Sequence, residues 1–156
     1  MIALIQRVLH ASIEIDGKTH SSIGKGMLVL LGVADNDSEK EAEWLARKIA
    51  GLRIFSDDNG KMNLDLAAIK GEIMVVSQFT LLADPSHGNR PSYIRAARPE
   101  KAIPLYEKFN FLLEGLTGRP VQTGVFAADM KITLCNDGPV TIYLNTEIHS
   151  GTKRPD

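Results

Sequence analysis

The sequence predicts an α+β fold, with mostly antiparallel or mixed β-sheets and two main helices packed on one side. Segments of strand character outnumber helical ones, only two stretches keep a helical period, and the strict strand–helix alternation of a parallel α/β sheet is missing. The 156 residues, 44% hydrophobic and 24% charged, read as a single domain over 1–156. A chain of this length can bury roughly 70% of its unfolded surface without a disulfide or metal staple, and has no room for a second domain.

From Ile2 to Ile23, the residues Ile2, Leu4, Ile5, Val8, Leu9, Ile13 and Ile15 alternate loosely with polar neighbours, and Asp16-Gly17 is a tight-turn signal, so two strands joined as a hairpin are expected. Met27 to Val33 is a short apolar run that reads as a buried strand. Ser38, with Glu41 three residues on, is a capping box. It opens a helix whose Ala42, Leu45, Ala46, Ile49 and Leu52 form one apolar stripe opposite Glu39, Lys40, Glu43, Arg47 and Lys48. Arg53-Ile54-Phe55 adds a short strand. Asp57 to Lys61 is dense in turn formers, and a brief helical turn is expected over Leu64 to Ile69.

Glu72 to Leu81 is apolar and β-branched in its first half, which predicts a central strand turning polar toward its C-terminal end. Asp84 to Pro91 reads as a loop. A second helix follows Pro99, with Leu105, Phe109, Leu112 and Leu116 in step and Tyr106 and Leu113 beside them, ending near Gly118. Val121 to Phe126, Lys131 to Cys135 and Val140 to Leu144 read as three further strands, and Ser150 to Asp156 as a frayed polar tail.

Composition narrows the function classes. With a net charge of −1, no general basic field holds nucleic acid, so any such partner must be gripped locally. The longest apolar run falls far short of the roughly 20 residues of a membrane helix, and no membrane partner is expected. Cys135 is the single cysteine and cannot form an internal disulfide, and MIALIQRVLHAS lacks the pattern of a secretory signal; a cytoplasmic setting is expected. No phosphate-binding glycine loop, paired-cysteine zinc site or Gly-x-Ser-x-Gly elbow occurs. His10, His20, His87 and His149 include no i, i+3 or i, i+4 pair, so no metal and no cofactor are expected. His87, in the loop after the polar strand end, is the histidine best placed to see a ligand. Cys135 reads as a small buried residue or as a nucleophile. The run Arg90, Arg95, Arg98 and Lys101, with Tyr93 interleaved, reads as a solvated face or as phosphate contacts beside a nucleic-acid end.

Two segments are unusual for a scaffold: Ser77-Gln78-Phe79-Thr80-Leu81 at the end of a buried strand, and Asn136-Asp137-Gly138-Pro139-Val140-Thr141 between two late strands. Together, in this order and spacing, they resemble the two signature motifs of the D-aminoacyl-tRNA deacylases, also called D-tyrosyl-tRNA deacylases, and the resemblance runs over essentially the whole chain, including the Arg7 region. It implies a homodimer, with active sites at the subunit interface, that hydrolyses the ester joining a D-amino acid to the terminal adenosine of tRNA. The aminoacyl-tRNA acceptor end is the implied partner. The resemblance further implies a cis Gly138-Pro139 peptide that reaches into the other subunit's pocket, where main chain walls off the L side chain, leaves D side chains free and cannot exclude glycine. Arg7 resembles the family arginine that holds the Gly-Pro segment.

Ser77, Phe79 and Thr80 are the catalytic candidates; Gln78, Gly138, Pro139 and Arg7 are the substrate-binding ones. No Lys or His in the first motif stands ready as the base that a hydroxyl nucleophile needs, which argues against a covalent route. In the family the 2′-hydroxyl of the terminal ribose assists, so the protein supplies placement: the Phe79 N–H binds the ester carbonyl or amino end, and Ser77 and Thr80 orient water and adenosine. The Phe79 ring is expected to fill core while its backbone binds. Gln78 reads as an adenine contact or as packing, and Asn136 as a brace for its own turn. Two rival readings are a covalent hydrolase using Thr80 or Cys135 with His87, and a small oligomeric module that binds a metabolite. Gripping of the acceptor end is expected from Arg90, Arg95, Arg98, Lys153 or Arg154.

Overall fold

The computed structural model describes residues 1–149; the expected tail, with Lys153 and Arg154, lies outside them. Strand β1 (Ile2–Ile15) turns through Asp16 and Gly17, both at positive φ (51° and 73°), into β2 (Lys18–Ile23), and β3 (Gly26–Gly32) follows. Two successive positive φ values match the right-handed twist of a two-residue hairpin, which is why Asp-Gly is favoured there. Helix α1 (Glu39–Ala50) starts at Ser38, whose capping box with Glu41 is formed. The short strands β4 (Phe55–Ser56) and β5 (Met62–Leu64) pair as a small separate hairpin. After β6 (Glu72–Ser77) come a 3₁₀ turn (Phe79–Leu82), helix α2 (Pro99–Thr117), β7 (Val121–Thr123), β8 (Lys131–Asn145) and the short α3 (Thr146–His149).

β1 is the hub of the main sheet. One edge pairs antiparallel with β8 from Ile2↔Asn145 to Glu14↔Lys131. The other pairs with β3 over Ile2 to Val8 and with β2 over Ala11 to Ile15. β3 then pairs parallel with β6, and β6 parallel with β7. On one face Ile5, Met27, Val29, Ile73 and Val75 meet the buried stripes of the helices, led by Leu45, Ile49, Leu105 and Phe109. The alternate residues Leu28, Met74 and Val76 face the other way, where Val8, Ala11 and Ile13 of β1 and the half-buried Ile132 and Leu134 of β8 cover them. The mixed sheet with helices on one side is therefore as expected, and the sheet curls so that its own strands close the second face.

Six expectations about elements need correction. The strand expected over Arg53 to Phe55 is Phe55–Ser56, and the one expected from Val121 to Phe126 stops at Thr123. Leu64 closes β5 and the following residues form turns, with no helix over Leu64 to Ile69. The strand from Glu72 stops at Ser77 and leaves the sheet as a 3₁₀ turn. Leu116 is exposed, because α2 buries the stripe Ala102, Leu105, Tyr106, Phe109 and Leu113. The two late strands Lys131 to Cys135 and Val140 to Leu144 are one continuous strand, whose pairing to β1 carries both pieces past the Gly-Pro motif.

Candidate active site

The ends of the parallel strands create the site. β7 reaches only as far as Thr123, opposite Val75, so Val76 and Ser77 run on with one edge unpaired. Beyond that edge a cleft of about 410 Å³ opens, lined by Ser77, Gln78, Phe79, Tyr106, Phe126 and Met130 among others. Crevices outside the carboxyl ends of parallel strands are the usual ligand sites of such sheets. The Gln78 N–H donates to the Leu31 carbonyl at 2.8 Å, the last hold of β3 on this segment. The chain then tightens, with Leu81 N–H on the Gln78 carbonyl at 3.3 Å and Ala83 N–H on that of Thr80 at 3.1 Å. Phe79 is the first residue of this turn, so its N–H has no acceptor within it.

Ser77, Gln78 and Phe79 thus come together in the cleft. Thr80 is exposed beside it and does not line it, though its hydroxyl accepts a hydrogen bond from the Gln78 side-chain amide. The Phe79 ring corrects an expectation: it is 56% exposed and sits edge-on to Tyr93, centroids 5.1 Å apart. The strand ends two residues earlier, so this ring no longer follows the in–out alternation that would bury it.

Tyr106, Phe126 and Met130 were not singled out as site residues. Tyr106 donates its hydroxyl to the Val75 carbonyl at 2.7 Å, anchoring the strand just before the motif. Burial pushes its phenol pKa up, against a smaller opposite effect of the Asn110 side chain. Phe126 and Met130 flank Ala127, a non-glycine residue at φ 62°. Two bulky apolar residues around small ones, just after a short strand, are the only local signal that this loop lines a cavity.

The second motif lies elsewhere in the chain. Gln6 pairs with Thr141 and Val8 with Asn136, so Asp137 to Val140 stand opposite Arg7 alone and arch out as a wide bulge. Gly138 and Pro139 at its crest are exposed, and their peptide bond is cis. Arg7 holds one flank: its Nε donates to the Asp137 carbonyl at 2.9 Å and pairs with the Asp137 carboxylate at 3.2 Å, while Nη1 donates to the Ile54 carbonyl at 2.6 Å. The Asn136 side-chain amide braces the bulge from within, donating to the carbonyls of Arg7 at 3.2 Å and Val140 at 3.0 Å. A Cβ on Gly138 would lie 2.1 Å from the Val140 nitrogen, so only glycine fits. Neither Gly138 nor Pro139 lines the cleft of its own chain.

Of the remaining candidates, Cys135 is half-buried in mid-strand opposite His10, and His87 lies in the exposed loop; neither lines the cleft. Among the described residues no group of three or more His, Cys, Asp or Glu could hold a metal ion. Arg95 pairs with Glu147 at 3.0 Å, and the Lys101 ammonium donates to the Asp35 carbonyl. No helix of the described residues is long and apolar enough to cross a membrane.

The model of the family described as D-Tyr-tRNA(Tyr) deacylase matches residues 4–145. The chain belongs to that family. Similar curated proteins, each named D-aminoacyl-tRNA deacylase, come from Cytophaga hutchinsonii, 56% identical over 94% of this chain and 98% of that one, and from Parabacteroides distasonis, 55% identical with the same coverage. A solved structure titled c-Myc DNA Unwinding Element Binding Protein superposes with a TM-score of 0.87 at 39% identity, covering 93% of this chain and 98% of that one. Another, described as a probable eukaryotic D-amino acid tRNA deacylase, shares the fold, with a TM-score of 0.77 at 15% identity over 92% of this chain and 97% of that one. This member of the deacylase family is a hydrolase.

Proposed function

We propose that the protein hydrolyses the ester bond of D-aminoacyl-tRNA in the cytoplasm, as a homodimer in which each cleft is completed by the partner's Gly138-Pro139 bulge. The observation that carries the reading is the separation of the two motifs. Ser77 to Phe79 line a cleft, while the Gly138-Pro139 crest is exposed and lines no part of it on the same chain. A second copy is the simplest means of bringing them together.

In this reading the terminal adenosine lies in the cleft against Phe126 and Met130, and the ester carbonyl points toward the Phe79 N–H. Backbone donors fixed in advance stabilise the oxyanion without reorganising. The bulge, braced by Arg7 and Asn136, stands against one side of the α-carbon and leaves no room for an L side chain; D side chains point away, and glycine is admitted. The neighbouring ribose 2′-hydroxyl helps position the attacking water, while Gln78 and Thr80, tied to each other, order the entrance. Fixing both reactants in this way can supply about 7 kcal/mol or more of the barrier reduction.

Neither rival reading is favoured. Thr80 points its hydroxyl to Gln78, and neither Cys135 nor His87 lines the cleft, so these three assemble no nucleophile–base pair there. A binding module without hydrolytic activity is disfavoured by the chain's membership of a hydrolase family. The test is to incubate the protein with D-tyrosyl-tRNA and L-tyrosyl-tRNA: release of the D-amino acid alone is expected, and release of both or neither contradicts the reading. A D-aminoacyl substrate ending in 2′-deoxyadenosine should react much more slowly; an unchanged rate removes the 2′-hydroxyl from the mechanism.

A further inference from the structure

The cleft does not end at Phe79. Phe79, Ala97, Phe126 and Ala127 also bound an adjoining groove of about 490 Å³, whose far wall is Tyr93, Ile94, Arg98 and Pro99. The two depressions share these four residues and form one continuous surface. Its exposure is unusual: Ile94 is 88% and Tyr93 39% accessible, beside the half-exposed Phe79 ring.

Arg98 adds the charge. It occupies the N-cap position of α2 yet makes no capping bond, where Ser, Thr, Asp or Asn would stabilise the helix. Arg95 and Lys101 are engaged by Glu147 and by the Asp35 carbonyl. Among the described residues the Arg98 guanidinium has no hydrogen-bond or ion-pair partner. An apolar, aromatic-walled groove with one unengaged planar cation matches a single nucleotide, whose base offers a π-face to an aromatic ring and whose phosphate takes a guanidinium fork.

We propose that this groove binds the penultimate nucleotide of the tRNA 3′ end, its base against Tyr93 and Ile94 and its phosphate on Arg98. The assignment rests on the reading that the terminal adenosine fills the cleft, with which the groove is continuous at Phe79, Ala97, Phe126 and Ala127.

The experiment compares kcat/KM on D-tyrosyl-adenosine and on D-tyrosyl-cytidylyl-adenosine for the wild type, Tyr93→Ala, Tyr93→Phe and Arg98→Gln. The wild type should favour the dinucleotide by about tenfold or more. Tyr93→Ala and Arg98→Gln should lose most of that preference while keeping the wild-type rate on the adenosine substrate, and Tyr93→Phe should retain it. A wild type indifferent to the second nucleotide, or variants weakened equally on both substrates, overturns the groove assignment and leaves the deacylase reading standing. Failure of the wild type on both substrates while D-tyrosyl-tRNA is hydrolysed overturns the groove assignment alone; failure on D-tyrosyl-tRNA as well overturns the deacylase reading, and the groove with it. Sedimentation of the same variants should show unchanged self-association; a weakened dimer would mean that a second copy covers the groove and would also overturn the assignment.

Discussion

Arg7 presents three donated or paired contacts on one side of the bulge, to the Asp137 carbonyl, the Asp137 carboxylate and the Ile54 carbonyl. A planar fork reaches all three at once; a lysine ammonium does not. Arg7→Lys should therefore destabilise the fold by about 2 kcal/mol, read by urea denaturation, and lower the D-over-L ratio of kcat/KM along with it. Gly138→Ala places a methyl in the Val140 main chain, so the crest must move. Its expected signature is a D-over-L ratio reduced at least about tenfold, corresponding to about 1.4 kcal/mol of lost discrimination. In the proposed mechanism Thr80 acts through the Gln78 contact, so Thr80→Ala should slow turnover by about tenfold without abolishing it, and Thr80→Ser should restore most of the rate. A trapped acyl-Thr80 species would contradict this role. The motif residues were legible because hydroxyls at a strand end and an Asn-Asp-Gly-Pro turn are local patterns. Phe126 and Met130 were not, since only tertiary packing brings their loop over the end of β6.

At the level of elements, α1 shows how far local signals reach. Ser38 and Glu41 form the reciprocal bonds that their spacing predicts. Burial raises the Glu41 carboxyl pKa, but the Ser38 hydroxyl and N–H, the Glu41 N–H and the Met1 ammonium outweigh it, leaving the group below its ordinary value. A lowered native pKa means stabilisation present at neutral pH and lost as pH falls through the carboxylate range. Ser38→Ala should accordingly lower stability by about 1 kcal/mol at pH 7 and by less at pH 3.5, measured by denaturant unfolding at both pH values. α2 ends as its sequence predicts, on Gly118 in the left-handed conformation at φ 64°. β8 shows the opposite case. Asn136 to Pro139 has the composition of a turn between strands, and from sequence it divides Lys131 to Leu144 in two. Pairing with the long β1 overrides that local preference, because the residues on either side both find partners there and the surplus is absorbed as a bulge. The boundary at Ser77 was hidden for a related reason: Phe79 and Leu81 keep a strand-like apolar alternation while the backbone has already turned.

For the whole molecule, the mixed sheet with helices on one face was readable from the balance of strand and helix periods. Its curl was not, because Leu28, Met74 and Val76 differ little in composition from residues facing the helices. The bulge lines no part of the cleft on its own chain, and the proposed site is therefore a property of two. The most direct test is a heterodimer, purified through two different tags, that joins a cleft-filled Ser77→Trp chain to a Gly138→Ala chain. The only open cleft then belongs to the Gly138→Ala chain, and the wall facing it comes from the Ser77→Trp chain. The account predicts that this heterodimer discriminates D- from L-tyrosyl-tRNA as strongly as one wild-type site; the weakened discrimination of the Gly138→Ala homodimer, unchanged in the heterodimer, would show that each chain judges handedness alone and would contradict it.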